Sequence, residues 1–100
     1  MDTFASNLVG FLRRWDTDSL VVVVHPGRDV TRAHALISSE FPESVFTTNF
    51  WAAGDREIRV RSTKESPGDL SGYTLFLCNG GQSFPSEAQR CLQEWETRAL

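Results

Sequence analysis

Five consecutive residues, Leu20-Val21-Val22-Val23-Val24, carry no polar side chain. Successive side chains of a strand point to opposite sides of a sheet. A strand of this composition therefore has no face to offer to water, and it must be covered on both sides, as in a parallel sheet flanked by helices. The 100 residues, 40% hydrophobic and 23% charged, match an ordinary globular chain, and residues 1–100 read as one α/β domain. No internal repeat, low-complexity tract or interdomain linker interrupts them.

Other elements follow from periodicity and from turn chemistry. Phe4, Leu8, Phe11, Leu12 and Trp15 recur at steps of three and four and predict a helix over Met1–Trp15, with Gly10 weakening it. Asp16-Thr17-Asp18-Ser19 ends it with residues that favour caps and turns. After the valine strand, His25-Pro26-Gly27-Arg28 turns the chain, and Asp29 is the expected N-cap of a second helix. Val30, Ala33, Ile37 and Phe41 form its apolar face, and Pro42 stops it.

Val45–Phe50, extended as far as Trp51, reads as a strand, and Ala52–Asp55 as a turn. Glu57–Ser62 alternates, with Ile58 and Val60 to one side and Glu57, Arg59 and Arg61 to the other. The short turn predicts an antiparallel hairpin between these two strands. Thr63–Gly72 is a polar loop, Tyr73–Cys78 a further apolar strand, and Asn79-Gly80-Gly81-Gln82 a turn. A last helix opens with Ser86 and Gln89 at capping-box spacing and buries Ala88, Cys91, Leu92, Trp95 and Ala99. The expectation is an α/β fold with about four strands in a mixed sheet. It combines one βαβ unit (Leu20 to Phe50) with a hairpin, covered by three helices.

Charge and cysteine usage narrow the functional classes. A net charge of −3 does not favour nucleic acid as a partner, since non-specific binding relies on a basic field. Cys78 and Cys91 are too few for a disulfide scaffold and fall in apolar elements, so both are expected reduced and inert, in a cytoplasmic setting. No apolar run reaches the roughly 20 residues that span a bilayer, and the N-terminal residues lack the layout of a secretory signal. His25, His34, Cys78 and Cys91 do not form close ligand pairs, so no metal is expected. No cofactor motif is present either.

Two regions carry candidate function. One is the set of loops after apolar strands. His25, Arg28 and Arg32, with Gly80 and Gly81, are the residue types that hold an anion at a helix N-terminus or in a turn. The plainer reading is that His-Pro-Gly turns the chain and Asp29 caps the helix. Cys78, His25 and Asn79 would also be neighbours if the strands before them run parallel, a thiol–imidazole–amide set that the apolar setting of Cys78 argues against.

The other region is aromatic and basic. Phe46, Phe50 and Trp51 offer more apolar area than a short hairpin hides, and adjacent strand residues cannot share one face. Arg59 and Arg61, with Arg56 and Lys64 nearby, can rim such a patch or guard an exposed strand.

A strand ending in Arg61-Ser62, a loop, Leu70-Ser71-Gly72-Tyr73 and an apolar strand resemble in outline the core of a nucleoside triphosphatase. Cys78-Asn79 stand where a metal-binding acidic pair belongs, and no phosphate loop is present, so no family follows from the resemblance. The leading expectation is a non-catalytic protein-interaction or accessory-subunit module, meeting a protein partner or a second copy through Phe46, Phe50, Trp51, Arg59 and Arg61. The alternative is a small nucleotide- or phosphate-binding domain or enzyme using loops 25–29 and 79–82.

Overall fold

Strand β1 (Ser19–Val24) lies inside the sheet, with β4 (Arg56–Ser62) on one side and β5 (Thr74–Cys78) on the other, both parallel to it. In the computed structural model, residues 3–65 and 72–78 are described. The elements before β4 are α1 (Thr3–Arg14), α2 (Arg28–Glu40), β2 (Val45–Phe46) and β3 (Trp51–Ala53). The five strands form one mixed sheet in the order β2-β3-β4-β1-β5.

All five residues Leu20–Val24 are at most 1% exposed, as their two-sided apolar pattern requires. Leu20, Val22 and Val24 pack with Ile58 of β4, with Phe4, Leu8 and Leu12 of α1, and with Ala33 and Ile37 of α2. Val21 and Val23 face the other way, against Tyr73, Leu75 and Leu77. Both described helices thus cover the same face of the sheet. Arg13 of α1 joins Glu40 of α2 by an ion pair of 2.6 Å.

The segment expected as one strand over Val45–Phe50 is two structures, and this corrects both the strand count and the pairing. Only Val45 and Phe46 are extended. The Thr47 N–H then donates to the Phe50 carbonyl at 2.8 Å, and its hydroxyl donates to the same oxygen at 3.2 Å. That double contact closes a four-residue turn and reverses the chain, so β2 pairs antiparallel with β3. The expected hairpin partner of Glu57–Arg61 is therefore β3, through Gly54-Asp55, and not Val45–Phe50. Gly54 supports that turn with φ of 66°, a left-handed conformation that glycine adopts without penalty. Trp51 is not at the hairpin tip, since it lies in β3 opposite Ile58. The parallel crossover from β1 ends at β4 rather than at Val45–Phe50, with α2 and the β2–β3 hairpin inside it.

Asp29 is not the N-cap. Gly27 takes that position with φ of 93° and offers no side-chain bond. Asp29 lies one step into the first turn and is 2% exposed. α2 ends at Glu40, before Pro42 as expected. Leu75 and Leu77, expected in the core, are partly buried. The expected third helix, with Cys91, Leu92 and Trp95, lies outside the described residues, as do Asn79-Gly80-Gly81-Gln82. Two helices are present among the described residues.

Ile58 is fully buried in β4 at the row that joins β3, β4 and β1. Ile58→Ala should lower unfolding free energy by about 2–5 kcal/mol through lost transfer energy and the cavity left behind. Val45→Ala, at a 62% exposed position, should change it by no more than about 0.5 kcal/mol. Urea unfolding of the two variants beside wild type measures both.

Candidate functional site

The sheet thins toward β2. Seven residues in β4 are followed outward by three in β3 and two in β2. A two-residue edge strand cannot bury its own side chains, and Val45 and Phe46 are 62% and 47% exposed. They point to opposite faces. Phe46 shares its row with Trp51, Ile58 and Leu20, on the helix-covered face, while Val45 shares its row with Ala52, Glu57 and Ser19.

On the helix side, three rings meet. The Phe46 and Trp51 ring centres are 5.1 Å apart, and His34 of α2 lies edge-on to Phe46 at 5.2 Å. Trp51 Nε1–H donates to His34 Nδ1 at 3.0 Å. The bond requires a lone pair on Nδ1, so it specifies an imidazole unprotonated at that nitrogen. Partial burial pushes the His34 pKa below its ordinary value of 6.5, which favours the same neutral form. The sequence already held a signal for His34: it is four residues after Val30 and three before Ile37, at the border of the apolar stripe of α2.

The sheet divides the residues that the sequence grouped together. Phe46 and Trp51 meet on one face. Phe50 lies with Arg59, whose guanidinium carbon is 5.2 Å from the Phe50 ring and 5.9 Å from that of Tyr73. Arg59 Nε donates to Glu57 Oε2 at 2.8 Å, a bond that raises the arginine pKa. Arg61 pairs with Glu65 at 3.5 Å, and both side chains are exposed. Arg56 is drawn away from the other basic residues. It donates to the Trp15 carbonyl at 2.7 Å and the Thr17 carbonyl at 3.0 Å, with its guanidinium 3.7 Å from the Trp15 ring. The arginines of this strand therefore do not pool into a single basic field.

Two depressions are relevant. The larger, about 650 Å³, is lined by Glu40, Phe41, Pro42, Glu43, Ser44, Ala53 and Gly54. It borders β2 directly, and nothing in the spacing of those residues announced it. The smaller, about 190 Å³, is lined by His25, Pro26, Arg28 and Asp29 at the carboxyl end of β1. There His25 Nδ1–H donates to the Pro26 carbonyl at 2.9 Å. Arg32 bonds Asp29 Oδ1 at 3.3 Å and lies 4.6 Å from the Phe4 ring, so its charge is committed inside the fold. Asp29 Oδ2 and Thr63 Oγ1 are buried with no hydrogen-bond partner among the described residues. Gly80 and Gly81, the other expected anion ligands, lie outside the described residues. So does the side chain of Cys78, although its backbone pairs with Val24.

Among the described residues, no group of three or more His, Cys, Asp or Glu gathers to hold a metal, and no helix is long and apolar enough to cross a membrane. Comparison of the chain with protein-family models, with curated proteins and with solved structures yields no match.

Partial burial of His34 makes stability depend on pH. The folded state holds His34 below its ordinary value of 6.5, so the unfolded chain takes up protons first as pH falls. The stabilisation is complete above pH 6.5 and is lost as pH drops through the lowered folded-state value. His34→Gln, which does not titrate, should lack this component. Urea midpoints of both proteins between neutral and mildly acidic pH measure it, and the wild type should show the steeper decline.

Proposed function

We propose that this chain is a non-catalytic protein-interaction module that engages a protein partner along strand β2. One observation carries the reading: the outermost strand exposes an apolar residue on each face, Val45 at 62% and Phe46 at 47%. Edge strands also present unpaired N–H and C=O groups, and soluble proteins blunt such edges with charge or proline. β2 has neither within its two residues. Pairing of an incoming extended segment with this edge would satisfy the backbone and cover both side chains.

The geometry redistributes the roles first expected of the aromatic and basic residues. Phe46 is the exposed anchor. Trp51 is the support beneath it, held by His34. Phe50 and Arg59 form a separate contact on the opposite face. Arg59 and Arg61, two strands inward and paired with Glu57 and Glu65, are placed to tune the surroundings rather than to rim the Phe46 contact.

A second reading, small-anion or nucleotide binding at the strand-end loops, is supported by the parallel pairing of β1 with β5. Val24 and Cys78 are opposite one another, so the chain leaves both strands at one edge of the sheet, where ligands of open α/β sheets bind. Titration with inorganic phosphate and with a nucleoside triphosphate, followed by a shift in thermal midpoint, tests it.

Peptides selected from a displayed random library against the wild-type chain test the leading reading. Phe46→Asp should weaken their binding by about 2 kcal/mol or more, as expected of a hot spot. Its circular dichroism and thermal midpoint should stay close to wild type, because Phe46 is half exposed. Selected peptides that bind Phe46→Asp as tightly as wild type would overturn the edge-strand reading.

A further inference from the structure

We propose that the carboxyl end of β1 binds a phosphate group together with its divalent cation. Asp29 is the one protein carboxylate on the metal, and Arg28 and the first N–H groups of α2 receive the phosphate. The proposal rests on the second reading above, the strand-end site, and names the chemical form of its ligand.

Chain order puts a crevice there. In sequence β1 is followed by β4 and then by β5, and in the sheet the three parallel strands stand in the order β4-β1-β5. The winding therefore goes to one side of β1 and then to the other. Ligands of open α/β sheets sit beyond the carboxyl ends of the strands at such a reversal. The depression of about 190 Å³ lined by His25, Pro26, Arg28 and Asp29 is at that end of β1.

The Asp29 side chain is 2% exposed, and only one of its oxygens is used. Oδ1 meets Arg32 at 3.3 Å, while Oδ2 has no hydrogen-bond partner among the described residues. Buried polar atoms are rarely left so, and a bound ion is one recognised cause. An ionised carboxylate oxygen only accepts, so it calls for a cation or a donor. The Thr63 hydroxyl is a second buried oxygen without a partner. It belongs to the same sheet edge, since the Thr63 N–H extends the β1–β4 ladder by donating to the Val24 carbonyl at 2.9 Å.

The start of α2 attracts the opposite charge. Its N-cap is Gly27, which supplies no side-chain bond to the first N–H groups of the helix. Those groups favour an anion, and so does the helix dipole. Arg28, exposed at the mouth of the depression, adds a positive charge. A bare phosphate satisfies these donors and is repelled by Asp29. A bare cation satisfies Asp29 and is repelled by Arg28 and by the helix start. A phosphate carrying magnesium satisfies both. Magnesium commonly takes one or two carboxylates, keeps several waters and draws further ligands from substrate phosphates. One carboxylate is therefore enough, and the site does not require the cluster of three or more protein ligands that is absent among the described residues.

Calorimetric titration of the full chain with pyrophosphate, in the presence of magnesium and in the presence of a chelator, tests the proposal. Wild type should bind pyrophosphate about tenfold or more tightly with magnesium, within the usual range of coupling between two ligands. Asp29→Asn keeps the shape and removes the charge. It should lose the magnesium advantage yet bind metal-free pyrophosphate no more weakly than wild type, whereas Arg28→Ala should weaken binding in both conditions. A nucleoside diphosphate titrated in parallel separates the sources of the phosphate: tighter binding than pyrophosphate assigns a nucleotide, and equal binding assigns a polyphosphate, each with the same dependence on magnesium. If pyrophosphate binds wild type equally with and without magnesium, the site takes a plain anion and the metal is wrong. If neither probe binds in either condition, the strand-end reading fails as well. Circular dichroism checks that Asp29→Asn is folded. Should it not fold, manganese in place of magnesium decides on the wild type. Added with pyrophosphate, it should selectively broaden the ring-proton signals of His25, which lines the depression, and equal broadening of His25 and His34 overturns the proposal.

Discussion

Burial of β1 on both faces is the constraint on which the described structure depends. Each of its valines contributes roughly 1.5–3 kcal/mol when removed from water, but only if both sides of the strand are occupied. One side is closed by α1 and α2 through Phe4, Leu8, Leu12, Ala33 and Ile37. On the other, Val21 and Val23 pack beside Tyr73, Leu75 and Leu77 of the neighbouring strand segment. Parallel neighbours on both edges, β4 and β5, complete the backbone pairing. With the strand in that position, α2 must cross from the end of β1 back toward the start of β4, and the β2–β3 hairpin rides on that crossover.

Distance from β1 then sets what each strand can expose. β4 keeps Ile58 fully buried, whereas Trp51 on β3 is half covered and Phe46 on β2 is open. Two polar devices fix this outer part of the sheet. The Trp51 indole bonds His34 of α2, which anchors the hairpin to the helix layer. Arg56 binds two carbonyls of the α1–β1 connection and lies over Trp15, tying the start of β4 to the end of α1. Lysine offers neither the fork nor the planar stacking that this second contact uses.

Much of this order was readable from residue spacing. The α1 stripe, the α2 stripe and the alternation in β4 each placed their apolar residues on the correct side, because helix and strand periods leave separate signatures. Val45–Phe50 misled for a definable reason. Phe and the β-branched Thr47 and Thr48 suit a strand by propensity, and only the two bonds from Thr47 to the Phe50 carbonyl divide the stretch into strand and turn. Asp29 misled similarly. Its composition suits a cap, but Gly27, with its positive φ, takes the cap two positions earlier, and the Asp29 carboxylate turns inward to Arg32. Phe46 and Trp51 were recognisable as surplus aromatics. Their separation from Arg59 and Arg61 was not, since it depends on which face each row presents.

The amino-acid sequence by itself determined that a two-sided apolar strand lies at the centre of an α/β fold, that helices cover it, and that β4 has one wet and one dry face. These are properties of local period and of hydrophobicity, which each segment carries with it. Only the tertiary structure decided that β1 has β4 and β5 as parallel neighbours, that β2 is the outer strand among the described residues, that His34 meets Phe46 and Trp51, and that a depression opens between the end of α2 and the β3–β4 turn. Each of those facts is a relation between segments distant in the chain. It is set by strand order and register, which a one-dimensional pattern does not encode, because the same alternation fits any neighbour until the buried faces are matched in space.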